Sequence, residues 1–173
     1  MQPAVAGYRL DQPSQCLLAT GRCVVRIGPP TGQCLGIATV NPNTLICGRL
    51  VSRDEKYPLN KSLLVHRLQV ALGLREALYA EPFYRLVYGD SDFLPGLVID
   101  RFGDVCVVQI STMGMELLKA DIVEALEKVL SPRGILFKNN GKMREVEGMP
   151  GYVEIGAGEV PDEVEMVENG VKF

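Results

Sequence analysis

The stretch FYRLVYGDSDFLPGLVIDRFGDVCVVQIS, Phe83 to Ser111, decides the fold. It contains three runs rich in β-branched and aromatic residues: Phe83–Gly89, Leu97–Phe102 and Val105–Ser111. Each reads as a strand. Asp90–Gly96 carries the Asp, Ser, Pro and Gly of a loop, and Gly103-Asp104 fits a two-residue hairpin turn. Directly downstream, GMELLKADIVEALEKVL places Met115, Leu118, Ile122, Leu126 and Val129 on one stripe, which predicts an amphipathic helix. Glu124 and Lys128 are spaced for an i,i+4 pair on its outer face, and Ser131-Pro132-Arg133-Gly134 ends it. GILFKN, Gly134–Asn139, is the next strand. The order of strands, helix and strands predicts an α+β unit in which the helix covers a sheet.

Toward the C-terminus, EVEMVENGVKF (Glu163–Phe173) sets two alternating apolar runs on either side of Asn169-Gly170, a strong hairpin signal. Toward the N-terminus the pattern changes. Turn-rich sequence leads to short apolar runs at Cys23–Ile27, Cys34–Val40 and Leu45–Val51, separated by Gly28-Pro29-Pro30 and Asn41-Pro42-Asn43. Closely spaced strands of this kind predict a small, strongly curved sheet or barrel. A helix follows, with Leu64, Leu68, Ala71, Leu72, Arg75 and Leu78 at helical spacing and Asn60 able to cap its start. Pro82 marks the expected boundary between a first module, 1–80, and a second, 81–173.

The chain has 173 residues, 47% apolar and 23% charged, which is a globular composition. No apolar run approaches the length of a membrane span, and the opening residues lack the pattern of a signal peptide, so a cytoplasmic protein is expected. Net charge is −3 but unevenly spread. Residues 1–78 hold nine Lys/Arg against four Asp/Glu; residues 79–173 hold nine against seventeen. The first module can attract an anionic partner, and the second cannot.

Several motifs invite chemistry. VEIGAGEVP, Val153–Pro161, has the spacing of a methyl-donor loop, but Val160 and Pro161 stand where a third glycine and a helix should follow, so it reads as a plain glycine turn. Asp90, Asp92, Asp100 and Asp104 lie within fifteen residues. They fail the EF-hand pattern and fall on different turns, so local turn chemistry is the reading. The five cysteines form no C-x-x-C pair and His66 stands alone, which leaves no zinc set. Cys23 and Cys106 lie in strand-like runs as small apolar residues. Neither a nucleophile nor a metal is indicated. The basic set Arg49, Arg53, Lys56, Arg67 and Arg75 remains, either as phosphate contacts or as a solvated face paired with Asp54, Glu55 and Glu76.

YRLVYGDSDFLPGLVIDRFGDVCVVQ resembles the middle segment of the RlmI-type bacterial large-subunit ribosomal RNA cytosine-C5 methyltransferases. MREVEGMP and VEMVENGVKF are similar to later pieces of that family in the same order. GQCLGIATVNPNTLICGRLVSR is similar to the latter part of its PUA domain. The resemblance implies a PUA-like β-barrel followed by a strand-strand-helix-strand-strand module, with the Rossmann domain beyond Phe173. On this reading the chain is a fragment with no catalytic residue and no cofactor of its own, and S-adenosylmethionine belongs to the parent. Ribosomal RNA is the implied partner. Arg49 and Arg53 match the PUA-like part, and Arg144 with Glu147 matches an R-x-x-E-G piece, which adds Arg144 to the candidate RNA contacts. The family's aromatic opening is not found in MQPAVAGYRLDQ, so the start of the barrel is unmatched. The alternatives are a complete RNA-binding adaptor or a protein-interaction module, the latter suggested by eight Asp/Glu and no Lys/Arg across Glu145–Glu168. A free sheet edge would also allow a homodimer.

Overall fold

A computed structural model of the protein describes residues 9–11, 24–28, 34–41, 43–168 and 171–172. Cys16, Cys23, Pro29, Pro30, Pro42, Asn169 and Gly170, on which sequence expectations rest, lie outside them. The fold is mixed α+β, with two main sheets, a short ribbon and four α-helices among the described residues.

The first sheet joins β1 (Arg9–Asp11), β2 (Val24–Gly28), β3 (Gly36–Val40) and β4 (Gly48–Ser52), each antiparallel to the next. Three of these fall within or beside the expected runs; β1 had no signal in the turn-rich opening. Asn41 shapes the β3–β4 connection by accepting from the Asn43 amide at 3.1 Å, the local bond that favours Asn in turns. Among the described residues these strands form an open sheet, not a closed barrel.

Helix α1 (Lys61–Leu78) begins where Asn60, extended at φ −150°, accepts from the Leu63 amide at 3.1 Å. It runs through Gly73 unbroken. Leu64, Leu68 and Ala71 are buried and Leu72 is partly buried, as the periodicity predicts, but Leu78 on the same stripe is exposed.

The second sheet has order β5 (Phe83–Tyr88), β6 (Leu97–Phe102), β7 (Val105–Ile110), β8 (Gly134–Asn139) and β9 (Tyr152–Gly158). All neighbours are antiparallel except β7 and β8, which are parallel and need the intervening helical crossover. Three strands precede the crossover, as the runs Phe83–Gly89, Leu97–Phe102 and Val105–Ser111 predict, and one more than the strand-strand-helix-strand-strand order that the resemblance implies. The β6–β7 hairpin turns at Gly103-Asp104 as expected, with Gly103 at φ 64°, the left-handed conformation that glycine takes without steric cost. The crossover is divided: α2 (Met113–Glu116) and α3 (Lys119–Leu130) replace the single expected helix. The break falls at Leu118, whose amide reaches back only three residues to Met115. Glu124 pairs with Lys61 of α1 and not with Lys128.

Leu64 and Leu68 of α1, Ile122 and Leu126 of α3, and Ile99, Val108, Ile135 and Phe137 of the sheet share one core. Each such side chain contributes roughly 1.5–3 kcal/mol on burial. Although α1 precedes Pro82, its apolar face is buried against α3 and β5. A bulge between Arg85 and Val87 lets Leu86 and Val87 both be fully buried.

The segment read from sequence as a glycine turn is instead the edge strand β9. Its glycine has a packing reason, since a Cβ on Gly156 would sit 2.4 Å from the Phe137 ring. Helix α4 (Met143–Val146) lies between β8 and β9, and β10 (Val167–Glu168) pairs antiparallel with β11 (Val171–Lys172), as the hairpin expectation requires.

Candidate nucleic-acid interface

The six basic candidates divide by what their side chains touch. Arg144 sits on α4 and is 2% exposed. Its Nη1 donates to the Ile110 carbonyl and to Glu116 Oε2, both at 2.8 Å, and its Nε donates to the Pro150 carbonyl at 2.9 Å. The guanidinium also lies 4.8 Å from the Tyr152 ring centroid, and the Tyr152 hydroxyl donates to Glu116 Oε1 at 2.7 Å. A cation in this position ties the end of β7, α2 and the start of β9 together. Its partner is Glu116, not Glu147.

Glu147 serves a different junction. It is 4% exposed and accepts from Arg49 Nη2 at 3.3 Å, from Asn41 Nδ2 at 2.8 Å and from the Met113 amide at 3.3 Å. Arg49 and Asn41 belong to the first sheet and its turn; Met113 opens α2. One carboxylate therefore bridges the first sheet and the helical crossover of the second. Gly114 allows the close approach, because a Cβ there would lie 2.5 Å from Thr39 Cβ on β3.

Arg67 and Arg75 rise from α1. Arg67 donates to the carbonyls of Phe93 and Val51, with its guanidinium 5.9 Å from the Phe93 centroid, and burial lowers its pKa from the ordinary arginine value. Arg75 grips Asp92 with two donors, at 2.6 and 2.8 Å, and Asp92 also accepts from the Tyr88 amide at 2.6 Å. These two arginines fasten the β5–β6 turn to the helix. Arg53 and Lys56 are exposed in the segment between β4 and α1. Lys56 borders a cleft of about 780 Å³ along α1, together with Tyr57, His66, Val70, Leu74 and Phe93. The structure thus gathers Lys56 and Arg67 at one cleft and disperses Arg49, Arg75 and Arg144.

The clustered aspartates also go to separate partners: Asp92 to Arg75, Asp100 to Arg85 at 2.8 Å, and Asp104 to Arg133 at 3.2 Å. Among the described residues no group of three His, Cys, Asp or Glu could hold a metal. No described helix is long and apolar enough to cross a membrane. Cys106 is buried on β7 as an apolar residue, and burial pushes its thiol up to about 11 against a weaker lowering by Arg101. Sequence reasoning missed Asn41, Glu116, Tyr57 and Phe93. Only Asn41 carries a signal in the sequence, as a turn former in Asn41-Pro42-Asn43.

No protein-family model matches the chain. Two solved structures share its fold. One is a candidate SAM-dependent methyltransferase from Streptococcus mutans, with TM-score 0.68 and 22% identity over 84% of this chain and 37% of that one. The other is a candidate methyltransferase in complex with SAH, with TM-score 0.72 and 22% identity over 87% of this chain and 38% of that one. The architecture is therefore one that occurs within chains described as methyltransferases.

Sequence relatives are more specific. A protein of Aliivibrio fischeri (strain MJ11) named ribosomal RNA large subunit methyltransferase I is 33% identical over 153 residues, covering 86% of this chain and 39% of the relative. The protein of that name in Vibrio vulnificus (strain CMCP6) is 34% identical over 146 residues, 82% of this chain and 36% of the relative. This chain is a homologue of the ribosomal RNA large subunit methyltransferase I proteins over most of its own length, and it spans under two-fifths of theirs.

Proposed function

We propose that the chain is the RNA-recognition and linker portion of an S-adenosylmethionine-dependent ribosomal RNA (cytosine-C5) methyltransferase, and is not catalytic alone. On this reading residues 1–80 are a PUA-like RNA-binding module, and 81–173 are the central strand-helix-strand module that carries it. The observation that bears most weight is the partial match to relatives named for ribosomal RNA methylation. The surplus of basic residues in 1–78 supports an anionic partner for the first module.

Within this reading the six basic candidates have two roles. Arg53 and Lys56 have exposed side chains available to phosphate oxygens. Arg49, Arg67, Arg75 and Arg144 hold the surface in shape through their internal partners. The methyl donor is held by the parent outside this chain. A calorimetric titration with S-adenosylmethionine tests this division. Flat heats are expected, and saturable micromolar binding would place the donor site within these residues.

A further inference from the structure

We propose that the cleft along α1 is a binding site for an unpaired nucleotide of RNA, with the Tyr57 and Phe93 rings stacking on the base and Lys56 meeting its phosphate. The inference rests on the RNA-recognition reading and gives it a specific location.

Three observations carry it. First, the cleft combines volume with apolar exposure. At about 780 Å³ it falls within the range of small-molecule sites. Tyr57 is 60% exposed, Val70 62%, Leu74 54% and Phe93 69%. Large apolar groups gathered in one concavity mark an interaction surface.

Second, Phe93 is displayed at a cost. It has φ 58°, a left-handed conformation that bulky side chains rarely adopt, in a turn where glycine would be strain-free. Arg67 and the amide of Phe93 itself, bonded to the Asp90 carbonyl at 3.0 Å, hold the backbone there. Strain maintained by several surrounding bonds around an exposed ring points to use of that ring.

Third, the charges fit a nucleotide better than an apolar peptide. Lys56 lines the cleft, Arg53 lies three residues before it, and Arg67 stands behind Phe93. The one carboxylate among the described residues of the wall, Asp92, is already neutralised by both donors of Arg75. Unpaired RNA is recognised by this combination of aromatic platforms and adjacent cations.

His66 lines the cleft and is the only histidine in the sequence, so its imidazole resonances are a unique reporter. Cytidine 5′-monophosphate and a short single-stranded oligoribonucleotide are titrated against the full chain. Both should shift the His66 signals saturably. Phe93→Ala and Tyr57→Ala should each weaken the oligonucleotide about tenfold, with unfolding temperatures close to that of the unsubstituted chain. If ribosomal RNA fragments bind while His66 stays still and both variants bind normally, the cleft proposal is overturned and the RNA reading stands. Nucleotide-induced shifts without affinity for ribosomal RNA would support the cleft and defeat the RNA reading. A response to amphipathic peptide and none to nucleotide overturns the proposal in favour of a protein partner, and no response to any probe overturns it outright.

Discussion

Glu147 accepts a hydrogen bond from Arg49 at 3.3 Å across 98 residues of sequence, and with Asn41 and the Met113 amide it ties the first sheet to the helical crossover of the second. Removing the carboxylate would leave a half-buried guanidinium and a backbone N–H without their acceptor, while the Asn41 amide would keep only its bond to the Glu147 carbonyl at 3.1 Å. Glu147→Ala should therefore cost about 3 kcal/mol. Glu147→Gln keeps an acceptor oxygen and should cost less. Urea midpoints at unchanged m-values would measure both.

Arg144 provides a sharper contrast between structure and RNA contact. Arg144→Ala deprives Glu116 of its cation and the Ile110 and Pro150 carbonyls of a donor, at an expected cost of about 3–5 kcal/mol. Arg144→Lys should recover less than half, because an ammonium cannot reproduce the planar fork. Under permissive temperature, RNA affinity should stay within about twofold of the unsubstituted chain; a large loss of affinity in a stable variant would assign Arg144 to the RNA surface.

The turn at Phe93 separates side chain from backbone. Phe93→Ala and Phe93→Gly both remove the ring and its contact with Arg67. Only glycine relieves the positive φ, so Phe93→Gly should be more stable than Phe93→Ala by about 1 kcal/mol. Thermal unfolding of the two variants side by side provides the check.

Cys106 should be silent to alkylating reagents near neutral pH, because its thiol titrates at about 11 inside the sheet. A thiol raised by burial favours the folded state only while neutral. Its contribution is full below the unfolded value near 9 and is lost as pH climbs through about 11. Cys106→Ala should flatten that part of the stability–pH curve, measured by denaturation between pH 8 and 11.

Local pattern was enough for much of this fold. The strands from Phe83 to Ile110, the Gly103-Asp104 turn and the Asn60 cap each depend on residues near in sequence. Two kinds of feature were hidden. One is the partner of a charge: Arg75 meets Asp92, Glu124 meets Lys61 and Arg49 meets Glu147, all across distances that a single sequence does not reveal. The other is a glycine whose meaning is tertiary. Gly156 reads as a turn residue until Phe137 is seen to lie against it in β9. The break between α2 and α3 was hidden too, since the apolar stripe from Met115 to Val129 continues across it.

The most direct test of the RNA-grip assignment is binding of the chain to a large-subunit ribosomal RNA fragment across a range of salt, compared with an Arg53→Glu, Lys56→Glu double variant. The account predicts affinity that falls with salt, and a salt slope shallower by about 1.4–1.8 in the variant. Salt-independent binding, or the same affinity and slope in the variant, would contradict it.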